Sequence, residues 1–561
     1  MIFDYTIYPY RNLFPEVKDV YLEEKNVKIE GFNGVTLDKT NNQVVLDFKE
    51  ETVGYLTFSL QGKAKIVVTY GEWYDELFKE SDTAVDWYEM PKDEFCLDNK
   101  DLVEMCVGKR RAFRFVRVKL LSGQLEIKEV FVKSVSCKKK YDTQFICSDE
   151  RINKIYDICK RTTALCMQHY FEDGVKRDGL LWSGDARIEI LCNYAMFGNT
   201  DIVKRVIKFF IRSMRSDGFM PTNATIGGAI IHPQDIDYMF DYVGGGIPDG
   251  TPDFFSGCGE IYYTNYSCDF IALVYEYLNY SGDVAFVKEC MQYLKKIVRR
   301  LCEVDAKNPA CHLMPQVTRP NRKYIDNLCD ESSFIMQLVD TLKIYRHLCE
   351  QLDETEELKV ANAYVDKYSE RAKKYFNSEK VVIRRCGSDD KDVAVPGGQT
   401  FALLAGLCDK EQYSNIIKYF QTDDCGYPEC GKSKFWWLKG VFESGNIEKA
   451  LEIVKEEWGI LIDKGETTCM ERWDARHMDD MENDYVLSNC HGWSAGPAAL
   501  FIEYVLGVKP IDVGYKKVRI SPNLGDLEFA KGTVPTPYGL IEIEVIKGGV
   551  KYSVPEGIEV V

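Results

Sequence analysis

The chain has 561 residues, 45% of them hydrophobic and 28% charged, which suits a soluble globular protein of three or four domains at roughly 150 residues each. A net charge of −17 argues against nucleic acid, whose phosphates need a cationic face, and disfavours an anionic membrane surface. No apolar run approaches the roughly 18 residues that suggest a spanning helix.

The first residues, Met1-Ile2-Phe3-Asp4-Tyr5-Thr6, lack a basic segment followed by an apolar one. The 20 cysteines include no Cys-x-x-Cys pair, so they read as reduced, mostly buried thiols. A cytoplasmic location is expected, with no structural zinc and no cofactor. Residues 1 to about 145 read as strands. Val44–Phe48, Gly54–Leu60 and Lys65–Tyr70 are β-branched or aromatic runs broken by turn residues, and Arg114–Leu120 alternates with period two. This spacing predicts a β-sandwich.

From about Ser148 the period becomes helical, with Ile152, Ile155, Tyr156, Cys159 and Thr163 on one stripe. Helices are expected at about 150–171 and 185–197, then 201–215, 268–280, 284–304, 331–351, 356–376, 397–407, 411–420, 433–443, 447–463 and 491–506. Paired helices joined by alternating short and long connections suit a closed double ring. After Pro510 short strands return, too few to hold much core, so they are expected to dock on the helices. The expected domains are 1–146, 147–508 and 509–561.

One loop between two predicted helices stands out: Glu172-Asp173-Gly174-Val175-Lys176-Arg177-Asp178-Gly179-Leu180-Leu181-Trp182-Ser183-Gly184-Asp185. So many charges cannot pack as core without partners, which suits a concave, wet site. Carboxylates beside an aromatic platform are the usual equipment for handling a sugar. The loop is expected to carry the acid of a glycoside hydrolase, with a partner carboxylate far downstream. Asp185 also reads as the N-cap of the next helix, Arg177 as a surface partner for its neighbouring aspartates, and Trp182 as core.

Two later stretches repeat the signature. Gly465-Glu466-Thr467-Thr468-Cys469-Met470-Glu471-Arg472-Trp473-Asp474 puts a carboxylate beside a tryptophan, although Glu471 and Arg472 also read as a solvated pair. Asn489-Cys490-His491-Gly492-Trp493-Ser494-Ala495-Gly496-Pro497 puts one of only 6 histidines before the last helix. Phe435-Trp436-Trp437 reads as core before an aromatic wall. The long loop 217–267 carries Asp235, Asp237, Asp241, Asp249, Asp253 and Glu260 without calcium-loop spacing. Gly-x-Ser-x-Gly, phosphate-loop and His-Glu-x-x-His patterns are missing.

On these residues the chain resembles glycoside hydrolase family 78, the bacterial α-L-rhamnosidases. The most specific matches are Thr467 to Trp473, Cys490 to Pro497, Val505-Leu506-Gly507-Val508-Lys509-Pro510 and Pro535-Thr536-Pro537-Tyr538-Gly539. The resemblance implies an (α/α)6 barrel of the six-hairpin type between an N-terminal β-sandwich and a small C-terminal β-domain. It implies exo-acting, inverting release of terminal rhamnose. By position Asp178 matches the general acid, Glu471 the general base, Asp173 and Asp185 further sugar-binding acids, and His491 a pocket histidine. Arg177, Trp182, Trp473 and Trp493 are expected to line the sugar site, with no metal. Two departures stand in the sequence: the family acid is generally Glu rather than Asp178, and an Ile-Asp-Trp segment is here Ile325-Asp326-Asn327. The same fold acting on another deoxy- or uronic sugar, or a weak sugar-binding homologue, shares these residues. The expected partner is a carbohydrate, not nucleic acid or membrane, and self-association into a homo-oligomer stays open.

Overall fold

The computed structural model describes residues 22–79, 91–176, 179–218, 220–224, 263–307, 331–377, 379–382, 396–420, 430–475 and 487–561. Arg177, Asp178, the acidic residues of 225–262 and the segment Ile325-Asp326-Asn327 lie outside the described residues.

The N-terminal strands are β1 Leu22–Lys28, β2 Val35–Leu37, β3 Gln43–Gly71, β4 Lys92–Cys106 and β5 Arg111–Cys137. They form one antiparallel sheet in the order β1-β5-β3-β4, with β2 also on β5. The runs expected as separate strands at 44–48, 54–60 and 65–70 are one long element, β3, broken by register shifts rather than turns. Residues 115–119 of β5 pair with 43–47 on one side and with 67–71 on the other. The sheet therefore folds around its own apolar face, a core that includes Phe58, Leu60, Phe113, Val118 and Ile127. Gly54 is required where strands meet most closely, because a Cβ there would stand 2.2 Å from the Lys133 carbonyl oxygen.

The helices are α1 Glu150–Cys166, α2 Ser183–Met196, α3 Thr200–Ser213, α4 Thr264–Ser281, α5 Val284–Lys307, α6 Glu331–Gln351, α7 Thr355–Ala372, α8 Pro396–Leu404, α9 Lys410–Phe420, α10 Gly431–Glu443, α11 Ile447–Glu457 and α12 Gly459–Asp463. The last expected helix is instead three short turns: 3-10 at Gly492–Ala495, α at Pro497–Leu500 and π at Phe501–Val505. Packing runs from α2 to α4, α6, α8 and α10, then to the Gly492–Ala495 turn, which returns to α2. Most of these members are deeply buried; α2, for example, buries every residue except Leu191. By contrast α3, α9 and α11 have one buried stripe and one wet face. A helix apolar on one side covers a core, whereas one buried all round belongs within it. Five helices and the Gly492–Ala495 turn thus pack in a succession that returns to α2, which lies in the inner layer.

The C-terminal strands β8 Lys517–Ile520, β9 Phe529–Thr536, β10 Gly539–Ile546 and β11 Gly549–Ser553 follow the short β7 Val508–Pro510. The strand β6 Phe145–Cys147, just before α1, pairs with β9. These strands form two small sheets, β11-β10-β9-β6 and one that includes β8 and β7; Val518, Ala530, Val534 and Ile541 join the same core as the helices, so both sheets dock on them.

Candidate active site

The loop between α1 and α2 closes on itself. The Asp173 and Leu180 main chains face each other, with Asp173 N–H donating to the Leu180 carbonyl at 3.0 Å. The Asp173 carboxylate accepts the Leu180 N–H at 2.9 Å. Gly179 adopts φ +58 and its N–H returns to the Gly174 carbonyl at 2.9 Å, a left-handed turn that favours glycine. Residues 177 and 178 fall between these closing bonds in sequence. At its start the loop is pinned by the Arg110 guanidinium, 2.6 and 2.7 Å from the two oxygens of buried Glu172.

Asp185 is not an N-cap, which corrects the sequence expectation. The helix begins two residues earlier, at Ser183, after an extended Trp182, and the Asp185 carboxylate turns inward instead. Its Oδ1 lies 3.0 Å from His491 Nε2, while Oδ2 is buried without a partner among the described residues. A buried carboxylate is better matched by an imidazolium than by backbone amides alone.

His491 is held from several sides. Its N–H donates to the Cys469 carbonyl at 2.9 Å, and the next N–H, of Gly492, donates to the Asp173 carbonyl at 2.7 Å. Its Nδ1 is 3.6 Å from Glu471 Oε2, and its ring lies 4.3 Å from the Trp493 ring centroid to centroid. Trp493 Nε1–H in turn donates to the Glu471 carbonyl at 3.0 Å. Glu471 also pairs its main chain with Ser488, whose N–H reaches Glu471 Oε2 at 3.3 Å. Two carboxylates therefore flank one imidazole. Burial alone would lower the His491 pKa, but Asp185 and Glu471 outweigh it and hold it well above its ordinary value. Burial pushes the Asp185 carboxyl up, and His491 opposes that push.

The sequence expectation thus gathers Asp173, Asp185, Glu471, His491 and Trp493 around one point. Single donor atoms of Asp173, Asp185 and His491 lie within 4.8 Å of one another, a set that could also hold a metal ion. Trp182 is half-buried, edge-on to Tyr266 at 6.3 Å, with its Nε1–H buried and unpartnered among the described residues. Trp473 is a correction. It is fully buried, packs edge-on against Trp458 at 5.4 Å, and donates its Nε1–H to the Glu457 carbonyl at 2.8 Å. It is core, because the chain turns its ring away from Glu471 toward α11. Trp436 and Trp437 are core as well.

Sequence reasoning missed Glu189 and Lys432. Glu189, one helical turn beyond Asp185, is fully buried with both oxygens unpartnered among the described residues. Burial and the neighbouring Asp185 push its pKa well up. Lys432 places Nζ 3.5 Å from the Tyr266 ring centroid and 3.1 Å from Asp269. The one available signal was the position of Glu189 four residues after Asp185, which places both on one helix face.

Residues 141–505 match the bacterial alpha-L-rhamnosidase six-hairpin glycosidase domain, and residues 507–555 match the bacterial alpha-L-rhamnosidase C-terminal domain. An alpha-L-rhamnosidase of Alteromonas sp. (strain LOR) is 35% identical over 195 residues, which is 31% of this chain and 21% of that protein. Among solved structures, a GH78 family rhamnosidase of Bacillus sp. GL1 shares the fold with TM-score 0.76 and 21% identity, over 94% of this chain and 54% of that one. A rhamnosidase from Klebsiella oxytoca with rhamnose bound gives 0.72 and 19%, over 88% of this chain and 98% of that one. The chain thus spans about a fifth of the curated relative and about half of the Bacillus protein.

Proposed function

The chain belongs to the bacterial α-L-rhamnosidase family, and from that premise we propose that it is an exo-acting glycoside hydrolase that releases terminal α-L-rhamnose with inversion. Asp178 is the general acid and protonates the glycosidic oxygen. Glu471 is the general base and deprotonates a water on the opposite face of the sugar. Single displacement with an intervening water needs the two carboxyl groups roughly 6.5–9.5 Å apart. Asp173, Arg177, Trp182, Asp185, His491 and Trp493 bind the sugar. The domains divide at 146 and 508, as the sequence suggests.

The observation that best supports this reading is the row Asp185, His491, Glu471. A positive imidazole between two carboxylates would favour the ionised form of Glu471, which a base requires. Its side chain is 13% exposed, against 2–3% for the other two, so it is the member of the row open to water. For the acid, Asp173, Asp185 and partial desolvation by Trp182 would each raise a carboxyl at 178, while Arg177 would oppose them. No described helix is long and apolar enough to cross a membrane. Free and mostly buried cysteines support work in a reducing compartment, for which we propose the cytoplasm and short imported glycosides.

The test is turnover of an aryl α-L-rhamnoside. Glu471→Gln and Asp178→Asn should each abolish it with the fold intact. Activity near that of the unsubstituted chain in either variant removes that residue from its role. A panel of aryl glycosides tests the sugar, and turnover of another glycoside but not the rhamnoside overturns the specificity.

A further inference from the structure

The loop before α2 and the loop before Gly492 carry the two halves of the reaction, and both rest on the same side chain from outside the helical domain. β3 ends at Gly71 and is followed by Glu72, Trp73 and a 3-10 turn at Asp75–Phe78. Glu72 and Glu76 are buried at 2% and 0% exposure, which is unusual for carboxylates that face another domain. Glu76 bonds the Glu72 N–H and accepts the Trp73 N–H at 2.9 Å, so the turn is locked before it meets anything else.

Lys176, two residues before Asp178, reaches into this turn. Its Nζ stands 2.9 Å from Glu72 Oε2 and 2.7 Å from Glu76 Oε1, with the side chain 2% exposed. The same Glu72 carboxylate accepts the Asn489 N–H at 2.7 Å, and the Ser488 hydroxyl lies 3.2 Å from its other oxygen. Ser488 and Asn489 precede His491, and Ser488 bonds Glu471 through its main chain. One carboxylate therefore holds the loop of residue 178 through a cation and the loop of His491 and Glu471 through a backbone amide and a hydroxyl.

We propose that Glu72 is a positioning residue, the clasp by which the N-terminal sheet fixes the spacing between general acid and general base. This rests on the assignment of Asp178 and Glu471 above. A buried charged partner that leaves a network exposes the groups it held. Loss of the Glu72 charge should therefore loosen both loops together, whereas a structural role in the sheet alone would loosen neither. Since the two carboxyl groups must meet one sugar from opposite faces, a small change in their spacing reduces the rate more than it reduces binding.

The experiment compares Glu72→Gln with the unsubstituted chain by hydrogen exchange and by kinetics on an aryl α-L-rhamnoside. Amides of residues 172–182 and of 487–493 should both exchange at least tenfold faster, with those of 333–372 unchanged. The kcat should fall tenfold or more while KM stays within threefold. Faster exchange in only one loop, in neither, or uniformly across the chain overturns the proposal, as does kcat within twofold. If Glu72→Gln does not fold, Ser488→Ala removes one contact to the same carboxylate. It should loosen both loops by a smaller factor, and no change in either overturns the clasp. If the unsubstituted chain turns over no rhamnoside, the rhamnosidase reading fails, and exchange alone decides the clasp.

Discussion

Gly492 is the tightest point behind the candidate site, and replacing it tests whether the packing there is as described. A Cβ at Gly492 would stand 1.8 Å from Glu189 Oε1, 2.3 Å from its Cδ and 2.6 Å from its Cγ. Ordinary carbon contacts are about 3.5 Å or more, so the Glu189 carboxyl would have to move by well over an ångström. It is fully buried, so it cannot swing out into solvent. Overpacking of this kind costs about 1–3 kcal/mol. If the Gly492 N–H loses the Asp173 carbonyl, about 1 kcal/mol more is lost. Gly492→Ala should therefore destabilise the chain by about 2–4 kcal/mol, read as a fall in the denaturant midpoint of the transition that includes the helical domain. Glu189→Ala deletes the Cγ, Cδ and Oε1 that the new methyl would strike. The double variant Glu189→Ala/Gly492→Ala should thus recover at least 1 kcal/mol relative to the sum of the single effects. A Gly492→Ala variant within about 0.5 kcal/mol of the unsubstituted chain, or strict additivity, would refute the packing argument.

Three further outcomes follow from the same groups. Asp185→Asn should lower the His491 pKa measured by nitrogen NMR, because burial then faces one carboxylate instead of two. The stabilising contribution of the raised imidazole is complete below about 6.5 and is lost as pH rises through its folded value, so the variant and the unsubstituted chain should converge in stability at alkaline pH. Burial raises the Glu466 carboxyl to about 7, so its contribution is fully present below 4.5 and lost as pH rises through about 7. Glu466→Gln should remove about 1–3 kcal/mol of that pH dependence, and an unchanged stability profile would contradict it. Trp473→Phe should cost about 1–2 kcal/mol through its lost bond to the Glu457 carbonyl, yet leave KM within twofold; a large rise in KM would return Trp473 to the sugar site.

What the sequence made legible follows from range. The helix α6 was legible over its full extent, 331–351, since helical pattern and length are local. The composition of the Asp173–Asp185 loop likewise pointed to a site before any partner was known. Directions of side chains were not legible. The loop motif invited a capping aspartate, but Asp185 bonds a histidine 306 positions away. A tryptophan two residues from Glu471 suggested a sugar platform, although its ring belongs to the core because Trp458 and the Glu457 carbonyl await it there. The separate strands of the N-terminal domain looked like turns and runs, whereas register shifts let β3 continue through them. Nor did any local pattern show that Arg110, Glu72 and Glu76 reach the loop of residues 172–185, since ion pairs across 62 or 100 residues leave no periodic trace.

The stereochemistry of the first-formed product tests the pairing of residues 178 and 471 most directly. Proton NMR of the unsubstituted chain incubated with an aryl α-L-rhamnoside, followed before mutarotation, should show β-L-rhamnose appearing first. Initial appearance of α-L-rhamnose would mean that no water stands between the two carboxyl groups, and the single-displacement account would be wrong.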